Sequence, residues 1–186
     1  MLTDAQIKDI KDRLAKRESV GSGGYYALYP SGATLSNATA IGKYQFTIPT
    51  LELIARRLNQ ATPSRSDFYS NGFLQEYYMN ELIKANYEYL ISSGLINYVG
   101  KPVKSTSTGE TAIITVEGLL AGMHLGGANG IKNLLTSNID AKDANGTYVS
   151  DYVVGLSQQN ATNLANFSIP VIIILIGIAI GLSNEH

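Results

Sequence analysis

The sequence predicts a mainly α domain followed by a C-terminal hydrophobic segment, expected to be a transmembrane helix. Three observations carry that prediction. Apolar residues recur at helical spacing in several separated stretches. No run alternates long enough to build a strand ladder. From Tyr152 to Asn184 the chain carries no charge, and 169–182 is apolar throughout apart from Pro170 and two glycines.

The first helix opens at the N-terminus. Thr3 is placed as its N-cap and Gln6 stands three residues on, the spacing of a capping box. Leu2 and Ile7 sit where a hydrophobic staple would close, and Ile7, Ile10 and Leu14 share one face. A stretch rich in Gly, Ser, Thr and Asn follows Gly21 and runs to about Gly42, interrupted by Tyr25, Tyr26, Leu28 and Tyr29. The second helix begins near Thr47, with Pro49 in its first turn and Leu51, Ile54, Ala55 and Leu58 as its buried stripe. A loop passes Pro63 and Asp67. The third helix runs from about Phe73 to Ile91, with Leu74, Tyr78, Leu82, Ala85 and Tyr89 on one face and Gly94 as a stop. A polar loop, a short extended piece at 112–116 and a helix at 116–125 come next. Gly126-Gly127 breaks that helix, and another covers 128–135. A turn-rich linker at 140–146 leads to a last helix at 151–156.

The apolar tail reads differently. Fourteen residues, 169–182, span about 21 Å as a helix, short of a hydrocarbon layer of about 30 Å. Starting at Leu164 gives nineteen residues and about 28 Å. Gly177 and Gly181 form a GxxxG pair suited to close helix packing in a membrane. The chain therefore divides into a domain at 1–156 and a linker with hydrophobic anchor at 157–186, the anchor meeting a membrane through 164–182.

Composition excludes several functions. Across 186 residues the net charge is −1, so no basic footprint for nucleic acid exists. There is no cysteine, hence no disulfide framework, thiolate site or Cys nucleophile. The two histidines, His124 and His186, cannot build a multi-histidine metal centre. The segment Asp140–Gly146 looks like a calcium loop, but aligning Gly146 with the loop glycine puts Ala141 and Tyr152 at positions that must supply oxygen ligands. Neither metal nor cofactor is expected.

Glu18 is the residue expected to carry chemistry. It lies four residues after Leu14, at the inner end of the apolar stripe of the first helix. Desolvation there favours the protonated carboxyl, which is what a general acid needs. The bland alternative is a helix-end Glu paired with a nearby Arg. Twelve tyrosines suit flat polar ligands such as sugars, although tyrosine also fills cores.

The residues around Glu18 resemble a known family. Glu18-Ser19, then the glycine-rich stretch with Tyr25, then Gly42-Lys43-Tyr44-Gln45-Phe46 before a helix, is similar to the lysozyme-like, lytic-transglycosylase-like superfamily. Gly122-Met123-His124-Leu125-Gly126-Gly127 resembles the helix-plus-glycine element that closes the cleft in phage and bacterial members. Asp143-Ala144-Asn145-Gly146-Thr147 with Asp151-Tyr152 resembles the tail of such domains. The resemblance spans about residues 1–156. One departure stands out: the family has an Ala-Tyr-Asn-type segment where this chain has Met123-His124-Leu125.

The resemblance implies a lysozyme-like helical domain that cleaves the β-1,4 bond between N-acetylmuramic acid and N-acetylglucosamine in peptidoglycan. Glu18 would protonate the leaving oxygen. In a lyase the same Glu would then act as a base while the sugar's own 6-hydroxyl closes a 1,6-anhydro ring, with no second carboxylate needed. In a hydrolase water attacks, helped by a second carboxylate, for which Glu52 and Asp67 are candidates. Gly42, Tyr44 and Gln45 would face the glycan, with Gln45 on an acetamido group or simply stabilising its loop. Tyr25 and Tyr26 would line sugar subsites or pack the core. His124 would contact substrate or serve the cleft wall. No signal peptide is evident at the N-terminus, so we expect a phage or injection particle to carry the enzyme to the wall, with particle proteins and a membrane as partners. The competing expectations are a non-catalytic lysozyme-like structural or glycan-binding component of such a particle, and a membrane-disrupting protein acting through its GxxxG segment.

Overall fold

The computed structural model describes residues 2–19, 24–143 and 145–165, and these form a mainly helical domain. The first helix, α1, covers Asp4–Ser19. Its capping box forms: the Gln6 amide N–H donates to Thr3 Oγ1 at 3.2 Å, and the Thr3 N–H donates to Gln6 Oε1 at 3.0 Å. Ile7, Ile10 and Leu14 are buried in the core as their spacing requires.

After α1 comes a single 3-10 turn at Gly24–Tyr26 and then a minimal hairpin. Strand β1, Leu28–Tyr29, pairs antiparallel with β2, Ala40–Ile41. Two residues per strand leave no alternation to read, so the sequence pattern cannot show this pairing. Helix α2, Ile48–Arg57, starts at Thr47, whose side chain accepts from the Thr50 N–H. The segment expected as a loop around Asp67 contains a short helix, α3, Arg65–Ser70. Ser64 caps it by accepting from the Asp67 N–H at 3.1 Å, and Phe68 anchors it in the core.

Helix α4, Gly72–Ser92, crosses the domain and ends at Gly94, which takes a left-handed conformation. A second hairpin follows, β3 at Pro102–Lys104 against β4 at Thr111–Ile113. Helix α5, Val116–Ser137, holds both expected helices in one element, kinked where Gly127 leaves helical geometry at φ 64°. The last helix, α6, runs Val149–Ala165, so the boundary expected at 156 falls inside a helix. Among the described residues no helix is long and apolar enough to cross a membrane. The anchor expected at 164–182 lies outside the described residues, apart from its first two positions at the end of α6.

Helices α5 and α6 are packed unusually closely, and the sequence explains how. Gly118, Gly122 and Gly126 recur every four residues along one face of α5. Val149, Val153 and Ser157 recur at the same interval on α6. A Cβ at Gly122 would stand 2.7 Å from Val153 Cγ2, and one at Gly118 would stand 2.7 Å from the Val153 carbonyl oxygen. Real Cβ atoms do not approach so near, so the pairing needs glycine at these positions.

The hairpin side is held by two adjacent residues of α4. Gln75 is fully buried, and its Oε1 accepts from the Lys43 N–H at 2.9 Å. Its Nε2 donates to the carbonyls of Tyr25, Phe68 and Tyr69. Gly42 lies directly against this amide at φ +80°, where a side chain would be both strained and overlapping. Glu76 accepts from Lys11 and Lys43 at 2.8 Å each, from the Tyr25 hydroxyl at 2.7 Å and from the Tyr44 hydroxyl at 2.8 Å. Burial alone would raise the Glu76 pKa. The donors from Lys11, Lys43, Tyr25 and Tyr44 outweigh it and bring the carboxyl from 4.5 down to about 2.

Two stability predictions follow from these contacts. Gly118→Ala forces α6 away from α5 and should cost about 1–3 kcal/mol in urea denaturation. A carboxyl whose folded pKa is depressed stabilises the fold above its unfolded pKa and loses that contribution as pH falls through the folded one. Thermal melts of the wild type should therefore fall between about pH 5 and pH 2. Glu76→Gln should start less stable by about 3 kcal/mol at neutral pH and respond less to pH over that window.

Candidate active site

Glu18 occupies the last turn of α1 and is the centre of a cleft of about 470 Å³. Its side chain is 16% exposed, enough to meet a ligand while most of it is screened from water. The Tyr152 hydroxyl, on α6, donates to Glu18 Oε1 at 2.6 Å. His124 Nε2, on α5, stands 3.7 Å from the same oxygen. One carboxylate oxygen is thus addressed from two helices that the glycine stripe holds together.

The Tyr152 ring is itself braced. The Arg17 guanidinium lies 3.8 Å from its centroid, a cation–π contact from the residue next to Glu18. Burial pushes the Tyr152 pKa up, and the Glu18 charge and hydrogen bond add to that. Tyr152 therefore keeps its proton and acts as a donor towards Glu18 across the ordinary pH range.

His124 is nearly enclosed, with 10% of its side chain exposed. Burial lowers its pKa; the Glu18 charge and the Tyr44 backbone oppose that without cancelling it. The ring is neutral at neutral pH. Its Nδ1 is buried and makes no hydrogen bond of ordinary geometry.

Two walls flank Glu18. The hairpin wall presents Tyr29, Thr39 and Ala40, with Gln45 and Thr47 from the turn that follows. The opposite wall presents Asp143, Asn145 and Thr147 from the segment before α6. Asp143 Oδ1 accepts from the Asn145 and Thr147 N–H groups at 2.9 and 2.8 Å, which folds that segment into a tight polar turn. The Tyr29 hydroxyl donates to Asn145 Oδ1, tying the two walls together. The resulting surface mixes hydroxyls, amides and aromatic edges, the kind of lining that suits a polar, uncharged, ring-shaped ligand.

The residues singled out from the sequence divide into two groups. Glu18, Gln45 and His124 come together in the cleft. Gln45 sits at φ 51°, and its Nε2 donates back to the Gly42 carbonyl at 2.9 Å. The other four are placed elsewhere. Tyr44 is fully buried and points its hydroxyl at Glu76, because a Tyr beside Lys43 and Lys11 can satisfy that carboxylate only from inside. Gly42 is buried against Gln75. Tyr25 bonds Glu76 and lines a separate polar pocket with Lys11 and Lys43. Tyr26 is exposed and meets the Tyr69 ring edge-on at 5.4 Å between centroids. Glu52 and Asp67 are both exposed and neither lines the cleft.

Several cleft residues went unread in the sequence. In the sequence nothing marks Tyr152 or Asn145 as cleft residues beyond the family-like tail and the rejected calcium-loop alignment. Asp143 was read as a turn, which it is, yet among the described residues it is the other carboxylate lining the cleft. Thr39 and Tyr29 depend on a hairpin too short to predict. No cluster of three or more metal-ligating side chains occurs among the described residues.

Comparison with known proteins adds no assignment: no protein-family model matches the chain, and neither a curated protein nor a solved structure matches it.

Proposed function

We propose that this protein cleaves the β-1,4 glycosidic bond between N-acetylmuramic acid and N-acetylglucosamine in peptidoglycan, as a lytic transglycosylase or muramidase, with Glu18 as general acid. The observation that carries the reading is the state of Glu18. It is a largely screened carboxylate in an open polar cleft, with Oε1 held by Tyr152 and Oε2 without a partner among the described residues. A carboxyl fixed through one oxygen presents the other for proton transfer in a defined direction.

The cleft explains why a glycan would be the substrate. Protonating a glycosidic oxygen requires the sugar to be held edge-on to the acid while the developing positive ring stays shielded. Gln45, Thr47, Thr39 and Asn145 offer neutral hydrogen-bonding groups that match hydroxyl and acetamido substituents. Once Glu18 has given its proton, its charge would stabilise the oxocarbenium-like sugar. The attacking oxygen is then either water or the sugar's own 6-hydroxyl. For the water route the accessory carboxylate would be Asp143, which also lines the cleft. The apolar run at 164–182 would hold such an enzyme at a membrane, and a particle would deliver it to the wall.

Purified sacculi digested by the full chain test this reading, with products read by mass spectrometry. The wild type should release muropeptides, ending in anhydro-muramic acid for the lyase or in reducing sugar for the hydrolase. Glu18→Gln should lose activity by about 10³-fold or more while keeping its thermal melt. Tyr152→Phe should lower kcat by about 10-fold to 10²-fold, because the acid is no longer held in line. A folded wild type that releases nothing would overturn the assignment.

A further inference from the structure

An acid that gives up a proton has to recover one, and the cleft holds a second group able to carry it. His124 sits on α5 one turn before the Gly127 kink, facing Glu18. The separation of 3.7 Å between Nε2 and Oε1 is too long for a direct hydrogen bond. It is nevertheless the separation at which one oxygen atom, about 2.8 Å from each, would bridge both groups. Nδ1 is buried, so exchange with the cleft runs through Nε2. The chemistry-bearing groups that face this pair are Arg17 from α1, Tyr29 from β1, Asp143 from the turn and Tyr152 from α6. Arg17 is engaged on the Tyr152 ring and Tyr152 donates to Glu18.

We propose that His124 is the second proton-transfer residue of the cleft, sharing one bound hydroxyl with Glu18. The proposal rests on the glycosidase reading and adds to it a second acceptor for the proton that the attacking hydroxyl releases. Glu18 protonates the leaving oxygen as the C1–O bond breaks, which leaves a carboxylate and a positive sugar ring. The attacking hydroxyl takes the vacated place, bonds to C1 and passes its proton to His124 Nε2. The imidazolium returns that proton through bound water to Glu18 Oε2, the oxygen that gave it up. Acid and neutral ring are then restored, no electrons change hands and charge balances. Burial suits His124 to this role, since a ring kept neutral can accept a proton at working pH.

The test uses the full chain on sacculi with wild type, Glu18→Gln, His124→Ala and His124→Gln. Wild-type cleavage with loss in Glu18→Gln establishes the underlying reading, and the His124 variants then bear on His124 alone. His124→Ala should fall by about 10²-fold, and added imidazole should restore it about 10-fold or more by entering the vacated space. His124→Gln, with that space filled, should stay low with imidazole present. A purely structural histidine would give no imidazole rescue in a folded His124→Ala protein, and that result, or activity within threefold of wild type, overturns the proposal. A measurement on the intact site guards against a variant that does not fold. The imidazole ring protons of His124 are followed by NMR across pH, identified against His186 by their absence in a His124 variant. The acid limb of wild-type kcat/KM should track that titration, and Glu18→Gln should move the titration to lower pH. An acid limb that ignores the His124 titration overturns the proposal equally. If the wild type itself cuts nothing, the glycosidase reading fails first and this one with it.

Discussion

The close approach of α5 to α6 is the constraint on which the site depends. Gly118, Gly122 and Gly126 remove the side chains that would otherwise keep the helices apart, and Val149, Val153 and Ser157 fill the space. The consequence is chemical as well as mechanical. His124 belongs to the glycine-bearing helix and Tyr152 to the valine-bearing one; Tyr152 donates to Glu18 Oε1, and His124 faces the same oxygen at 3.7 Å. A shift of α6 by even one methyl group would open the 2.6 Å contact that holds the Glu18 carboxylate.

The hairpin wall depends on polar satisfaction instead. Gln75 and Glu76 are neighbours on α4; Gln75 joins the 25–43 segment to α3, and Glu76 joins it to α1. Gln75 accepts from the Lys43 N–H and donates to the carbonyls of Tyr25, Phe68 and Tyr69. Glu76 gathers two lysines and two tyrosines from α1 and from the 25–44 region. A glycine-rich stretch loses much conformational entropy on ordering, and these contacts are what order it. They also explain why Tyr44 faces inward: its hydroxyl belongs to the scaffold of the cleft, and the residue after it, Gln45, belongs to the surface.

The helices were legible because each carries a local signal. The Thr3–Gln6 capping box, the stripe of α1, the start of α2 at Thr47 and the length of α4 need nothing beyond neighbouring residues. The Gly127 break in α5 was legible for the same reason. What escaped the sequence depends on distant partners. Strands β1 and β2 are two residues each and exist because Gln75 and Arg65 hold the loop around them, Arg65 through the carbonyls of Leu35 and Ala38. Helix α3 is a single capped turn longer than a loop and shows no period. The site divides the same way. Glu18 could be found from the stripe it terminates. Tyr152, lying 134 positions away in sequence, has no local feature that marks it, and Tyr44 looks like a ligand-facing residue until its carboxylate partner 32 positions on is known.

The central claim is that a glycan strand lies between the hairpin wall and the Asp143–Thr147 turn with its scissile oxygen at Glu18. The most direct measurement is a crystal structure of full-length Glu18→Gln with a peptidoglycan tetrasaccharide. The account predicts a glycosidic oxygen within hydrogen-bond reach of the residue 18 amide, and acetamido or hydroxyl groups on Gln45, Thr47 or Asn145. A tetrasaccharide seated away from this cleft, for instance over Tyr25 and Lys43, would contradict it.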